Sequence, residues 1–90
     1  MNTKLMDLSI GLEEELFLVD IKTGELCKQW PDELVNICQK KFPEQIVREF
    51  LSGQVELVSS PANSLVKLNQ ELYKLRSFLI EQTARFGLAP

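Results

Sequence analysis

Apolar and polar positions alternate from Ile10 to Asp20, with Ile10, Leu12, Glu14, Leu16 and Leu18 on one side and Gly11, Glu13, Glu15, Phe17 and Val19 on the other. A period of two predicts a β-strand. The following Asp20-Ile21-Lys22-Thr23-Gly24-Glu25-Leu26 places acid, threonine and glycine where a chain reverses, and Gly24 can take a positive φ. A hairpin is expected there, with Leu26 to Gln29 as its return strand. Pro31 then suits the start of a helix, Asp32 and Glu33 put negative charge at its positive end, and Leu34, Val35, Ile37, Cys38 and Phe42 form an apolar stripe. Pro43 closes it. Between Glu44 and Val58 the pattern fits either state. Ile46, Val47, Phe50 and Leu51 could mark a helical face, whereas Phe50, Val55, Leu57 and Val58 with a break at Ser52-Gly53 favour mostly extended chain.

The strongest periodicity comes last. After Pro61, with Asn63 or Ser64 able to cap, Leu65, Leu68, Leu72, Leu75 and Leu79 recur at steps of three and four as far as Phe86, and Gly87 supplies a stop. This predicts a long amphipathic helix. Its leucine face could be a coiled-coil seam, but packing on a sheet of the same domain is the commoner use. The expected architecture is α+β: a β-hairpin and a further strand packed on the long C-terminal helix.

At 90 residues the chain holds at most one domain with a marginal core. Its 44% hydrophobic and 26% charged residues match a folded globular chain, not a disordered or membrane-embedded one. The net charge of -3 is unevenly spread: residues 1–60 carry 11 acids against 6 bases, residues 61–90 carry 2 against 4. The acidic part is where cations would go. No basic cluster is interleaved with aromatics, which argues against nucleic acid as a partner. No segment has the length of a signal peptide's apolar core or of a membrane span, so no membrane partner is expected and a reducing cytoplasm fits best. Cys27 and Cys38, without a histidine in the chain, cannot form a Cys/His zinc site and are read as free buried thiols.

Chemistry concentrates in carboxylates. Glu13-Glu14-Glu15 interrupts an otherwise apolar strand, an unfavourable place for three charges without partners. Glu13 and Glu15 share a face roughly 7 Å apart, a spacing that suits a hard divalent ion shared with phosphate oxygens. The plainer reading puts both on the wet face of an edge strand. Glu14 shares its face with Leu12, Leu16 and Leu18 and has no evident partner under either reading. Glu56 is a further acid inside a short apolar strand, and Glu49 precedes it by seven positions. On one regular strand that odd spacing sends them to opposite faces, so a bend at Ser52-Gly53 is needed to bring them together. Arg76 could meet a phosphate, though a solvated helix flank is the more ordinary role. There is no phosphate loop, nucleotide-binding glycine pattern or nucleophile-base pair.

Ile10-Gly11-Leu12-Glu13-Glu14-Glu15-Leu16-Phe17-Leu18-Val19-Asp20, continued by Thr23-Gly24-Glu25-Leu26, resembles the opening motif of the type 2 glutamate-cysteine ligases, or carboxylate-amine ligases. Glu49-Phe50 with Gln54-Val55-Glu56-Leu57-Val58-Ser59-Ser60-Pro61 is similar to that family's next acidic strand, and Leu72-Tyr73-Lys74-Leu75-Arg76 with Ala84 and Gly87-Leu88 to the helix after it. The matches run in the family's order. The resemblance implies the N-terminal part of a glutamine synthetase-like domain. It further implies an enzyme that uses ATP and Mg2+ to activate the γ-carboxylate of glutamate as an acyl phosphate, which an amine such as cysteine attacks. Transferred by position, it makes Glu13, Glu15, Glu49 and Glu56 the magnesium ligands, with Glu13, Glu49 and Glu56 converging on one ion. The family's catalytic domain is several times longer than this chain, so these residues alone are expected to be an inactive segment. The rival from another class is a small non-catalytic module, a homo-oligomer assembled through the leucine face and open sheet edges.

Overall fold

The computed structural model describes residues 11–49 and 54–90, an α+β arrangement of five strands and two helices. The strands are β1 (Glu13–Phe17), β2 (Val19–Asp20), β3 (Ile46–Arg48), β4 (Gln54–Val58) and β5 (Leu88–Ala89), and the helices are α1 (Asp32–Lys41) and α2 (Leu65–Ala84). An antiparallel sheet has the order β1-β4-β3, and β2 pairs with β5 in a separate two-stranded ribbon.

The alternation read from the sequence is kept through β1, where Glu13, Glu15 and Phe17 are exposed and Glu14 and Leu16 are half-buried. The expected continuous strand is broken at Leu18, which is fully buried, so that β2 turns into the second ribbon. The reversal after β2 forms as anticipated. Asp20 Oδ1 accepts the N–H groups of Lys22 (2.8 Å) and Thr23 (3.1 Å), the Gly24 N–H bonds Asp20 O at 2.7 Å, and Gly24 sits at φ 73°. The return strand expected over Leu26 to Gln29 shrinks to a single bridge between Val19 and Leu26, held by Asp20 N–H to Glu25 O and Cys27 N–H to Leu18 O (both 2.8 Å), while β5 pairs with the other edge of β2.

α1 begins after Pro31 and closes at Phe42, with Asp32 and Glu33 in its first turn and Lys40 and Lys41 in its last, complementing the helix dipole at both ends. Leu34 and Cys38, four apart, point into the core. In α2, Ser64 Oγ accepts the Lys67 N–H (3.4 Å), and Leu68, Leu72, Leu75, Leu79 and Thr83 make one buried stripe. Thr83 satisfies its buried hydroxyl by donating to Leu79 O at 2.7 Å. Leu65, counted in the stripe from spacing alone, is 63% exposed because it sits in the opening turn, before the helix reaches the sheet. The helix ends at Ala84, two residues short of Phe86, and Gly87 (φ 73°) redirects the chain into β5.

The core lies between the inner sheet face and the helices. Val55 and Leu57 of β4 and Ile46 of β3 meet Leu72, Leu75 and Leu79 of α2, Leu34 and Cys38 of α1, and Leu18, Trp30, Phe42 and Leu88. Each fully buried leucine contributes roughly 2 kcal/mol of transfer free energy. Phe42 and Phe78 join the two helices edge to face, ring centres 5.0 Å apart. Burying the leucine face against the sheet removes it as an assembly seam. Cys38 is buried and free as expected, whereas Cys27, expected to be buried, is free but only half-buried, its thiol bonding Gln29 O at 3.4 Å.

Candidate metal centre

Register decides which carboxylates meet. In the β1–β4 pair Glu13 stands opposite Val58 and Glu15 opposite Glu56, and in the β3–β4 pair Val47 stands opposite Glu56. Beyond β3, the Glu49 N–H bonds Gln54 O at 2.8 Å, so Glu49 lies across from Gln54. Residues facing each other across a ladder share a side of the sheet. Glu13, Glu15, Glu49 and Glu56 are therefore all on one side, together with Phe17, Val47, Gln54 and Val58.

That side faces away from the helices. The seven-residue interval from Glu49 to Glu56 reconciles with a common face because β3 and β4 are antiparallel partners, not one bent strand. The proposed break at Ser52-Gly53, and Phe50 with it, lies outside the described residues. The Ser59 N–H bonds Leu12 O at 2.9 Å, which makes the Leu12–Ser59 pair hydrogen-bonded and, by alternation, the Glu15–Glu56 and Glu13–Val58 pairs non-hydrogen-bonded. Those are the positions where side chains approach most closely.

The resulting electrostatics are those of crowded like charges. The Glu13 carboxyl within hydrogen-bonding reach of Glu56, followed by the charges of Glu13, Glu15 and Glu49, holds the Glu56 carboxyl above its ordinary range. Glu15 Oε2 accepts from Gln54 Nε2 at 2.8 Å. Glu15, Val47, Glu49, Gln54 and Glu56 line a cleft of about 50 Å³. As the side chains lie, no three His, Cys, Asp or Glu groups among the described residues are gathered closely enough to hold a metal ion. The arrangement provides a touching pair, Glu13 and Glu56, flanked by Glu15 and Glu49.

Glu14 occupies the opposite side of β1 and is answered there by a partner that spacing did not reveal. Arg76 of α2 donates from Nε to Glu14 Oε1 (2.9 Å) and from Nη2 to Glu14 Oε2 (2.5 Å), a side-on fork. Hydrogen bonding to Arg76, against a smaller opposing effect of burial and aided by the Arg76 charge, holds Glu14 below the usual carboxylate range. Arg76, read as a solvated flank, keeps 42% of its side chain exposed and in addition pairs with Glu14. Only the tertiary crossing of α2 over β1 brings the two together, 62 positions apart. A second carboxylate of α2, Glu71, accepts from the Ser60 N–H (3.0 Å) and from Gln45 Nε2. Its partial burial is outweighed by these bonds and by Lys74, so its carboxyl too lies below the ordinary range. Together these contacts pin β1 and the residues after β4 to the helix.

No helix among the described residues is long and apolar enough to cross a membrane. The sequence profile of Glutamate-cysteine ligase family 2 (GCS2) matches residues 9–89. Proteins named "Putative glutamate--cysteine ligase 2" are similar along nearly all of the chain. That of Paracoccus denitrificans is 36% identical over 88 residues, covering 98% of this chain and 23% of its own length. That of Jannaschia sp. is 37% identical over 82 residues, 91% of this chain and 21% of its own length, and that of Ruegeria pomeroyi is 31% identical over 84 residues, 93% and 22%. The chain thus spans between a fifth and a quarter of the length of these relatives. No solved structure matches it. With residues 9–89 matched by the family profile, this chain belongs to glutamate-cysteine ligase family 2.

Proposed function

We propose that this chain supplies magnesium-holding carboxylates to an ATP-dependent ligase that joins the γ-carboxylate of glutamate to an amine such as cysteine, as the N-terminal segment of the catalytic domain. The observation that carries the reading is the pairing of β1, β4 and β3, which collects Glu13, Glu15, Glu49 and Glu56 from separate parts of a family member onto one side of the sheet. The donor set fits the ion. Mg2+ prefers oxygen ligands, keeps several waters, and is commonly held by one or two carboxylates together with substrate phosphates. A neighbouring Glu13–Glu56 pair with two more carboxylates beside it supplies such a donor set. The chemistry supplied by bound magnesium is neutralisation of charge on the transferring phosphate and polarisation of the acyl phosphate towards the amine.

The carboxylates act as a cradle, not as proton donors. Glu56 occupies the centre strand, where it is reached from both sides, and Glu13 and Glu15 on β1 and Glu49 beyond β3 set the width of the cradle. The ATP and glutamate contacts fall to the parts of the family's longer proteins that these residues do not include, and the 90-residue chain by itself is inactive in this reading. Two free thiols accord with a reducing cytoplasm as the site of action. The module reading is disfavoured by the burial of its leucine face.

Calorimetric titration of the purified chain with Mg2+ tests the proposal. Saturable binding that disappears in the Glu13→Gln, Glu56→Gln double variant, with far-UV circular dichroism unchanged, is the expected result. An identical titration in the double variant ends the cation reading, and ATP-dependent γ-glutamyl amide formation by the chain alone ends the claim that it is inactive.

A further inference from the structure

β1 is mechanically exposed. Among the described residues it is paired on one side only, by β4, and it carries three successive carboxylates. Glu15 stands directly opposite Glu56 on the strand that holds β1 in place, Glu13 lies diagonal to it opposite Val58, and like charges across a ladder push strands apart. The third, Glu14, is gripped from the opposite side by the Arg76 fork. A side-on guanidinium–carboxylate pair fixes orientation as well as distance, which a single point charge cannot do. The force from α2 thus opposes the repulsion on the outer face and acts at the residue between the two outward carboxylates.

We propose that Arg76 is a positioning residue: by forking Glu14 behind β1 it sets the orientation in which Glu13 and Glu15 are presented beside Glu56 to a divalent cation. This rests on the cation reading given above, since Arg76 touches neither the ion nor its ligands. Neighbours that orient ligands from behind typically change metal affinity by roughly 10–100-fold when removed.

The test separates orientation from mere stability. In the full chain, replacing both partners with leucine (Glu14→Leu with Arg76→Leu) removes the fork while leaving an apolar contact between sheet and helix, and a pair exposed to 42% and 27% contributes little to stability. The expected result is a melting temperature close to the wild-type value by circular dichroism and, by Mg2+ titration calorimetry, roughly tenfold weaker affinity. Arg76→Lys, which keeps the charge and loses the fork, weakens binding in the same direction. It serves as the readout if the double leucine variant does not fold. Wild-type chain that binds Mg2+, together with folded variants whose affinity stays within about twofold, overturns the positioning role and leaves the cation reading standing. Wild-type chain that shows no saturable binding overturns both.

Discussion

Leu75 and Ile80 lie on the same helix five positions apart, and truncating each to alanine should have very unequal consequences. Leu75 is fully buried among the leucines, valine and aromatic rings of the core, whereas Ile80 is 49% exposed on the far side of α2. Leu75→Ala removes buried methyl groups and leaves a cavity, a loss of about 3 kcal/mol within a range of 2–5. A chain of 90 residues has a total stability of roughly 5–13 kcal/mol, with small cores toward the lower figure, so this one change removes a large share. With a urea slope of about 1 kcal/mol/M the midpoint should fall by roughly 3 M. Ile80→Ala exchanges a β-branched residue for the best helix former at a half-wet position, and its net effect should stay within about 0.5 kcal/mol. Urea unfolding followed by circular dichroism at 222 nm, read as midpoints at constant slope, is the assay. Equal losses, or a larger loss from Ile80, would refute the packing of α2 on the sheet and return the outer face of the helix to consideration as an assembly surface.

Other expectations are as direct. Glu14 and Glu71 titrate below the usual carboxylate range, so the stability they contribute is present above the unfolded-state value and is lost as pH falls through their folded values; Glu56, held above that range by Glu13, keeps its proton longer in the folded chain, and stability should decline as pH rises through its folded value. Thermal melts of the cation-free chain should therefore peak at mildly acidic pH, with Glu56→Gln flattening the alkaline limb and Glu14→Gln the acid limb; a profile unchanged by both substitutions refutes the assignment. Burial pushes the Cys38 thiol up to about 11, so thiol reagents at pH 8 should modify Cys27 first and Cys38 only through unfolding, measured by mass spectrometry against time. Gly24→Ala should cost about 1 kcal/mol in urea unfolding: nothing stands within 4 Å of an added Cβ, so the cost is purely that of holding alanine at φ 73°.

Elements dominated by local periodicity were legible in the sequence. The four-and-three spacing of Leu68, Leu72, Leu75 and Leu79 and the alternation through β1 report burial that each element must satisfy wherever it packs. The Asp20 and Gly24 turn was legible for the same reason, since its bonds close within the turn. What could not be read was pairing between distant segments. That Glu49 shares a face with Glu56 follows from the antiparallel partnership of β3 and β4, which spacing along one strand cannot express. The Arg76 partner of Glu14 depends on where α2 crosses β1, and the pairing of β2 with β5 depends on where the far end of the helix delivers the chain. A signal for the first of these existed: an acid on an apolar strand face requires a buried or half-buried cation, and the chain has few on apolar helix faces.

The ribbon of β2 with β5 has a bearing on how the polypeptide is made. Val19 aligns with Ala89 and Asp20 with Leu88, and the Ile21 N–H bonds Gly87 O at 2.9 Å, so the first hairpin is completed by residues synthesised almost seventy positions later. On the ribosome, α1, the three-stranded sheet and most of α2 can emerge before that partner is available, leaving the edge of β2 unsatisfied throughout. Final closure of this segment therefore awaits emergence of Ala89 from the exit tunnel, and a nascent chain stalled before that point should remain sensitive to protease at the hairpin while its sheet is already protected.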